Sequence, residues 1–384
     1  MIGIYLDHAA TSFPKAPDVA EAVALFLNQA AGNPGRGGHR LSVAASRVVE
    51  GAREDVAGLL GGDPERTVFG PGATFWINAV LASKLNAGDR VVTTALEHNA
   101  VMRPLRWYEE KRRIKLVTVS GRSSDGVPSA DEIVSNVTRA PTSLVIMTHA
   151  SNVTGAIMPV AEVAQAVSPV PVLLDAAQTA GSLPIDFREI GVAALVASGH
   201  KGLLGPPGIG ALLLAPWFNI EPLVRGGTGS RSESHEMPEH LPDRLEAGTP
   251  NSAGAAGLGA SCAWIRERGV EAIRDRCQKL LQRLVAGLRE VPGVSLHGWD
   301  ADRPRVGILS FTMRRKDVGE LAAWLDRKHG IMVRAGLHCA PSAHKRLETF
   351  PNGTVRVGIG PFNTESDVDA LIAAVADAYE NGIA

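Results

Sequence analysis

Seven short apolar runs spaced between residues 67 and 214 constrain this chain more than any other feature. They read "TVFG", "RVVTT", "KLVTV", "SLVIMTH", "PVLLD", "ALVAS" and "GIGALLL". Helical patterns such as "ATFWINAVLASKL" and "PVAEVAQAV" lie between them. Strands alternating with helices predict a mostly parallel, doubly wound α/β sheet. "PVLLD" and "SLVIM" are apolar throughout rather than alternating, so they are expected to be buried on both faces. At 384 residues the chain exceeds what one simple core accommodates. The expected division is an N-terminal arm at 1–15 beside the small domain and the active-site edge, a large α/β domain at 16–254, and a smaller α+β domain at 255–384. That last part reads as one long amphipathic helix over 255–290. After it come the strands "RVGILSFTM", "IMVRAG" and "TVRVGIG" and the helices "DVGELAAWLDRKHG" and "ESDVDALIAAVADAY".

Composition narrows the function classes. Hydrophobic residues make up 45% and charged residues 21%, with a net charge of −1. Nothing in that balance favours nucleic acid or an anionic membrane as the main partner. No apolar run reaches the roughly 18 residues of a membrane span. The opening "MIGIYLDHAATSFPK" lacks the basic and apolar regions of a secretory signal. Three cysteines, Cys262, Cys277 and Cys339, form no disulfide framework and no CxxC pair. A reducing, cytoplasmic location is expected. Cys262 and Cys277 fall in a helical pattern and are expected to serve packing.

The chemistry concentrates at strand ends. In "LVASGHKGLLGPPGIG" an apolar strand runs into Ser198, His200 and Lys201. A lysine at a buried strand end is costly unless neutralised, and condensation with an aldehyde removes that cost. "PVLLDAAQTAG" ends a second strand in Asp175, with Gln178 just behind. A carboxylate at the same sheet edge suits a pyridinium nitrogen, as in pyridoxal phosphate (PLP). "FGPGATFWINAV" sets Gly70, Gly72, Ala73 and Thr74 where a strand gives way to a helix, a position suited to a phosphate. His98, at the next helix start, stacks on a ring, moves protons as a catalytic group, or caps the helix. Taken singly, each of these residues has an ordinary structural explanation as a loop, turn or cap. For the cysteine of "RAGLHCAP" the ordinary explanation is a small buried filler.

Together these stretches resemble the cysteine desulfurases of the class V aminotransferase group, PLP enzymes of fold type I. The matching pieces run in family order: "YLDHAATSFP", "GRGGHRLS", "LEHNAVMRPL", "THASNVTGAIMP", "LLDAAQTAG", "SGHKGLLGPPGIG", "LEAGTPN" and "RAGLHCAP". The short loop before Cys339 is similar to that of the SufS and selenocysteine-lyase branch. The resemblance implies that Lys201 binds the cofactor covalently and moves protons, that Asp175 pairs with the ring nitrogen, and that Gln178 donates to the ring hydroxyl oxygen. It implies that His98 stacks on the ring and that Ala73, Thr74, Ser198 and His200 hold the phosphate, completed by Thr249 from a second subunit of a homodimer with shared sites. Asn152 and Arg356 would grip the substrate carboxylate, Arg334 would position substrate or loop, and His39 would lie near the substrate end of the pocket. Cys339 would accept sulfur from L-cysteine as a persulfide, leaving alanine, with Arg334 and His338 as the neighbours favouring a thiolate. A sulfur-acceptor protein would follow, with iron–sulfur cluster assembly, thiolated tRNA and another cofactor all open as the destination. Three positions depart from the pattern: Ala335 and Leu337 replace a hydroxyl and an imidazole, and His8 stands where Asn is frequent. The alternatives are a selenocysteine lyase, and another class V enzyme (an aminotransferase or epimerase) in which Cys339 is incidental.

Overall fold

All seven apolar runs join one sheet in the computed structural model, which describes residues 3–35 and 37–383. The chain enters through strand β1 (Ile4–Tyr5), helix α1 (Val19–Leu25) with a π-helical turn over Phe26–Ala30, and helix α2 (Arg40–Leu60). Then come β2 (Thr67–Gly70), α3 (Ala73–Lys84), β3 (Arg90–Thr94), α4 (Asn99–Arg112), β4 (Lys115–Val119) and α5 (Ala130–Thr138). They are followed by β5 (Leu144–Thr148), α6 (Val160–Val167), β6 (Val172–Asp175), the single turn α7 (Phe187–Ile190), β7 (Ala194–Ser198) and β8 (Gly210–Leu214). The sheet order is β2-β8-β7-β6-β5-β3-β4. Only β8 runs against the rest. The connection from β7 to β8 contains no helix, so the chain turns straight back, whereas parallel neighbours need a crossover.

The order of strands decides where ligands bind. From β3 the chain steps outward to β4, then jumps back over β3 to β5 and continues the other way through β6 and β7. The crevice at such a reversal, beyond the carboxyl ends of the strands, is the binding place of open α/β sheets. Register brings Thr148 beside Asp175, and Asp175 beside Val196, so β5 and β6 end level and β7 runs two residues further to Ser198.

The remaining elements are α8 (Ser252–Arg268), α9 (Val270–Glu290), β9 (Val294–His297), β10 (Ile308–Met313), α10 (Val318–His329), β11 (Ile331–Met332), β12 (Arg334–Gly336), α11 (Pro341–Arg346), β13 (Thr354–Gly358) and α12 (Glu365–Glu380). Strands β12, β13, β10 and β9 form an antiparallel sheet in that order. The N-terminal arm runs beside it: β1 pairs in parallel with β11 in a separate two-stranded sheet, and Asp7 bridges to Gly358 of β13.

Two expected elements divide. The single helix over 255–290 is two helices, broken at Gly269, whose φ of +80° suits glycine. In α9 the buried residues Ile273, Cys277, Leu280, Leu281, Leu284 and Leu288 recur at helical spacing, giving one apolar stripe. Helix α8 is instead a run of small residues buried nearly all round. A Cβ at Gly259 would come within 2.8 Å of Ala52, so α8 lies backbone-close on α2. Cys262 and Cys277 are buried in these two helices. The strand "IMVRAG" splits at Val333 because its two halves pair in different sheets. No helix among the described residues is long and apolar enough to cross a membrane.

Candidate active site

The side chains expected at the strand ends meet in one cavity of about 210 Å³. Lys201, Asp175, Gln178, His98, Asn152 and Ser198 line it, and so do Ala73, Thr74, His200, Arg334 and Arg356. Asp175 ends β6, almost fully buried. Burial pushes its carboxyl above the ordinary range, while the Lys201 ammonium and the Ala177 amide, donating at 3.0 Å, pull it down. Burial likewise lowers the Lys201 amine, and the Asp175 carboxylate opposes that shift. The two groups therefore moderate each other at the floor of the cavity.

The anion end lies at the start of α3. Its N-cap, Gly72, has φ +145°, and the Ala73 amide donates to Ser198 Oγ at 3.3 Å. A Cβ at Gly210 would come 2.7 Å from the Cα of Gly72, so bare backbone is needed for this loop to sit against β8. The result is a helix N-terminus flanked by two hydroxyls, Thr74 and Ser198. His98 caps a helix and faces the cavity. Its Nδ1 accepts from the Ala100 amide at 3.0 Å, capping α4, while the ring lines the cavity. Burial, aided by Lys201, lowers its pKa to about 4, so the imidazole is neutral.

Arg356 is 1% exposed, on β13. It donates to Asp7 Oδ1 at 2.8 Å and to the Asn152 carbonyl at 3.0 Å, and its Nε has no partner among the described residues. A buried guanidinium with a free donor is a ready seat for a carboxylate. Asn152 donates through Nδ2 to the His338 carbonyl at 2.7 Å, and its Oδ1 is unpaired.

Cys339 stands at the mouth. Its residue is exposed while His338 and Ala340 on either side are buried. It lines a groove that shares Thr74, His98 and Ala100 with the cavity. Arg334 Nη2 lies 3.6 Å from its sulfur. The backbone is left-handed at both His338 (φ +48°) and Cys339 (φ +58°). Each such non-glycine residue costs about 1–2 kcal/mol. The tethers that offset this are Asn152 on the His338 carbonyl, the Asn99 amide on the Cys339 carbonyl at 2.7 Å, and the Ala340 amide on Leu337 at 2.8 Å.

Two expectations need correction. His338 gives the thiol no positive charge: burial, then Arg356, lowers its pKa to about 2, and its Nε2 is occupied by Thr354 at 3.1 Å. His39 does not line the cavity; it is exposed and caps α2, its Nδ1 accepting from the Ser42 amide. Thr249 lies outside the cavity and lines a different pocket, with Gly70, Pro71 and Asn251.

Other residues had escaped the sequence reading. Asp7, in "YLDHAAT", partners Arg356 across 349 residues of sequence. Glu97 sits fully buried beside His98, accepting from Thr94 Oγ1 at 2.7 Å and the Thr148 amide at 3.0 Å. An acid directly after an apolar strand was its only signal. The arm is fastened by the His200 carbonyl, which accepts from the Ser12 amide, Thr11 Oγ1 and Lys15 Nζ at 2.8–3.1 Å. His8, the departure from Asn, is buried edge-on to Tyr5, and its imidazole falls to about 4 through burial and then Lys15.

The family model for aminotransferase class V matches residues 4–371. This chain belongs to the class V aminotransferase family. It is 34% identical to a probable cysteine desulfurase of Methanothermobacter thermautotrophicus, over 96% of this chain and 92% of that one. It is 35% identical to another from Aeropyrum pernix, over 97% and 94%. Among solved structures, the apo cysteine desulfurase of Thermococcus onnurineus superposes with a TM-score of 0.92 at 31% identity, covering 99% of this chain and 95% of that one. Escherichia coli cysteine desulfurase CsdA, in an S-sulfonic acid form, gives 0.87 at 30% identity over 99% and 95%. The family is one of PLP enzymes, and the cavity fits that group: a helix N-terminus with hydroxyls at α3, the Asp175 carboxylate and the Lys201 amine line the same space.

Proposed function

We propose that this protein is a PLP-dependent cysteine desulfurase that takes sulfur from L-cysteine onto Cys339 and releases L-alanine. One observation carries the reading: an exposed thiol, with a guanidinium at its sulfur, stands at the mouth of the cavity that holds Lys201 and Asp175. The names of the relatives support it. When bound, PLP supplies an electron sink for the carbanion left by Cα deprotonation.

The chain's own residues do the rest. Lys201 would hold the cofactor's aldehyde carbon, and Asp175 its ring nitrogen. Gln178, whose Nε2 donates to the Ala9 carbonyl at 3.0 Å, has a second N–H for the ring oxygen. His98 would cover the ring face, and Ala73, Thr74, Ser198 and His200 the phosphate. Arg356 Nε and Asn152 orient the substrate carboxylate, so that the Lys201 amine takes the Cα proton. The Cys339 thiolate then attacks the substrate sulfur. A new S–S bond forms as the substrate's C–S bond breaks, Cβ gains a proton to become the methyl group, and Lys201 returns a proton to Cα to give alanine. Arg334, at 3.6 Å, stabilises the thiolate before attack.

The position of Thr249, away from its own chain's cavity, supports a homodimer in which it reaches the other subunit's phosphate site. The short loop before Cys339 supports the SufS-like branch. Residues 1–15, 16–254 and 255–384 serve as arm, large domain and small domain. Cytoplasmic sulfur delivery to an acceptor protein, as in iron–sulfur cluster assembly, completes the reading. The test is to incubate purified protein with L-cysteine and measure alanine and the mass of the Cys339 peptide. Alanine with one added sulfur on that peptide is expected. Alanine formed at full rate by Cys339→Ala would refute the role of the thiol. Alanine from L-selenocysteine alone would point to a lyase.

A further inference from the structure

The strained pair His338–Cys339 is held by an element with a second duty. The first N–H groups of a helix have no partner within it. In α4 the Ala100 amide is taken by the ring of His98, and the Asn99 amide by the Cys339 carbonyl at 2.7 Å. One turn of helix therefore carries the imidazole that lines the cofactor cavity and also grips the backbone of the thiol residue. Consecutive non-glycine residues in the left-handed region persist only where their surroundings over-determine them. Without the Asn99 donor, Cys339 would lose the one backbone tether on its own carbonyl that is seen among the described residues.

We propose that the backbone N–H of Asn99 is a positioning group for the nucleophile, fixing Cys339 in its left-handed conformation so that the sulfur faces the cavity mouth in register with His98. This rests on the reading of Cys339 as the sulfur acceptor. The Asn99 side chain has no part in it.

The site permits a clean removal of the donor. Asn99 is the first residue of α4, a place where proline is accommodated, and His98 before it is already extended (φ −70°, ψ 157°) as a residue preceding proline requires. In N99P, PLP absorbance and affinity should stay within about twofold of wild type, while single-turnover sulfur transfer to Cys339 falls about tenfold, the factor set by one hydrogen bond. N99A keeps the N–H and should transfer at the wild-type rate. Transfer at the wild-type rate in N99P, equal slowing in both variants, or loss of PLP from N99P would overturn the proposal. A measurement on wild type needs no variant. A first-turn amide open to water exchanges at unfolded-chain rates, whereas the tethered Asn99 amide should be protected by about a hundredfold or more. An unprotected amide refutes the tether whatever N99P does. If wild type gains no sulfur on Cys339 yet the amide is protected, the functional reading fails and the tether stands.

Discussion

Replacing Glu97 with glutamine should stabilise this protein at neutral pH, although it alters a buried residue beside the active site. Glu97 is fully buried, and burial pushes its carboxyl up to about 8 from an ordinary 4.5, with Asp175 adding to the rise against the hydrogen bonds from Thr94 and Thr148. At pH 7 the folded protein keeps this proton and the unfolded chain has lost it. Stability from this group is therefore complete below pH 4.5 and falls as pH rises towards 8. At about 1.4 kcal/mol per pH unit, the loss between pH 5.5 and 8 is roughly 3 kcal/mol. A glutamine oxygen accepts the same bonds from Thr94 Oγ1 and the Thr148 amide, and its NH2 replaces an Oε2 that has no partner. Urea denaturation of wild type and Glu97→Gln at pH 5.5 and pH 8 tests the sign. The two should lie within about 1–2 kcal/mol at pH 5.5, with the variant roughly 3 kcal/mol more stable, relative to that, at pH 8. A variant less stable by the same amount at both pH values would show that Glu97 is ionised in the fold, and the argument would fail.

Lys201→Ala should lower alanine formation by about 10²–10⁴-fold, since it removes the proton-transfer group, and should abolish the absorbance of lysine-bound PLP; a retained absorbance would place the covalent link elsewhere. Arg334→Met should slow alkylation of Cys339 at neutral pH by up to about fivefold, the range of a partly exposed ion pair, with the effect shrinking in high salt. Gly210→Ala sets a methyl 2.4 Å from the Ala197 carbonyl oxygen and 2.7 Å from Gly72, so it should cost about 1–3 kcal/mol and weaken PLP retention, read by dialysis and absorbance. Leu284→Ala, in the buried stripe of α9, should cost about 2–5 kcal/mol in denaturation without changing the KM for L-cysteine.

Strand pattern is a local property, and that is why the sheet was legible. Each apolar run from "TVFG" to "GIGALLL" carries its own burial signal, and the chemistry-bearing residues Asp175, Ser198 and Lys201 directly end or follow such runs. Glycine punctuates just as locally, although the break at Gly269 was hidden by helical pattern on both sides. The motifs around Lys201, Asp175 and Cys339 led to the family for the same reason, each being contiguous in sequence.

The sequence by itself determined the architecture of the main sheet, the residue types at its carboxyl edge and the family to which the chain belongs. Tertiary structure decided what depends on neighbours far away along the chain. Asp7 meets Arg356 only because the chain just after β1 bridges to Gly358 at the end of β13. Burial makes His338 neutral, keeps a proton on Glu97 and leaves Arg334 as the guanidinium at the sulfur. The left-handed turn at His338 and Cys339 contains no glycine to announce it, and it is held by amides from Asn152 and Asn99 in distant segments. Burial and backbone strain are sums over a whole surrounding, and no stretch of residues carries that sum alone.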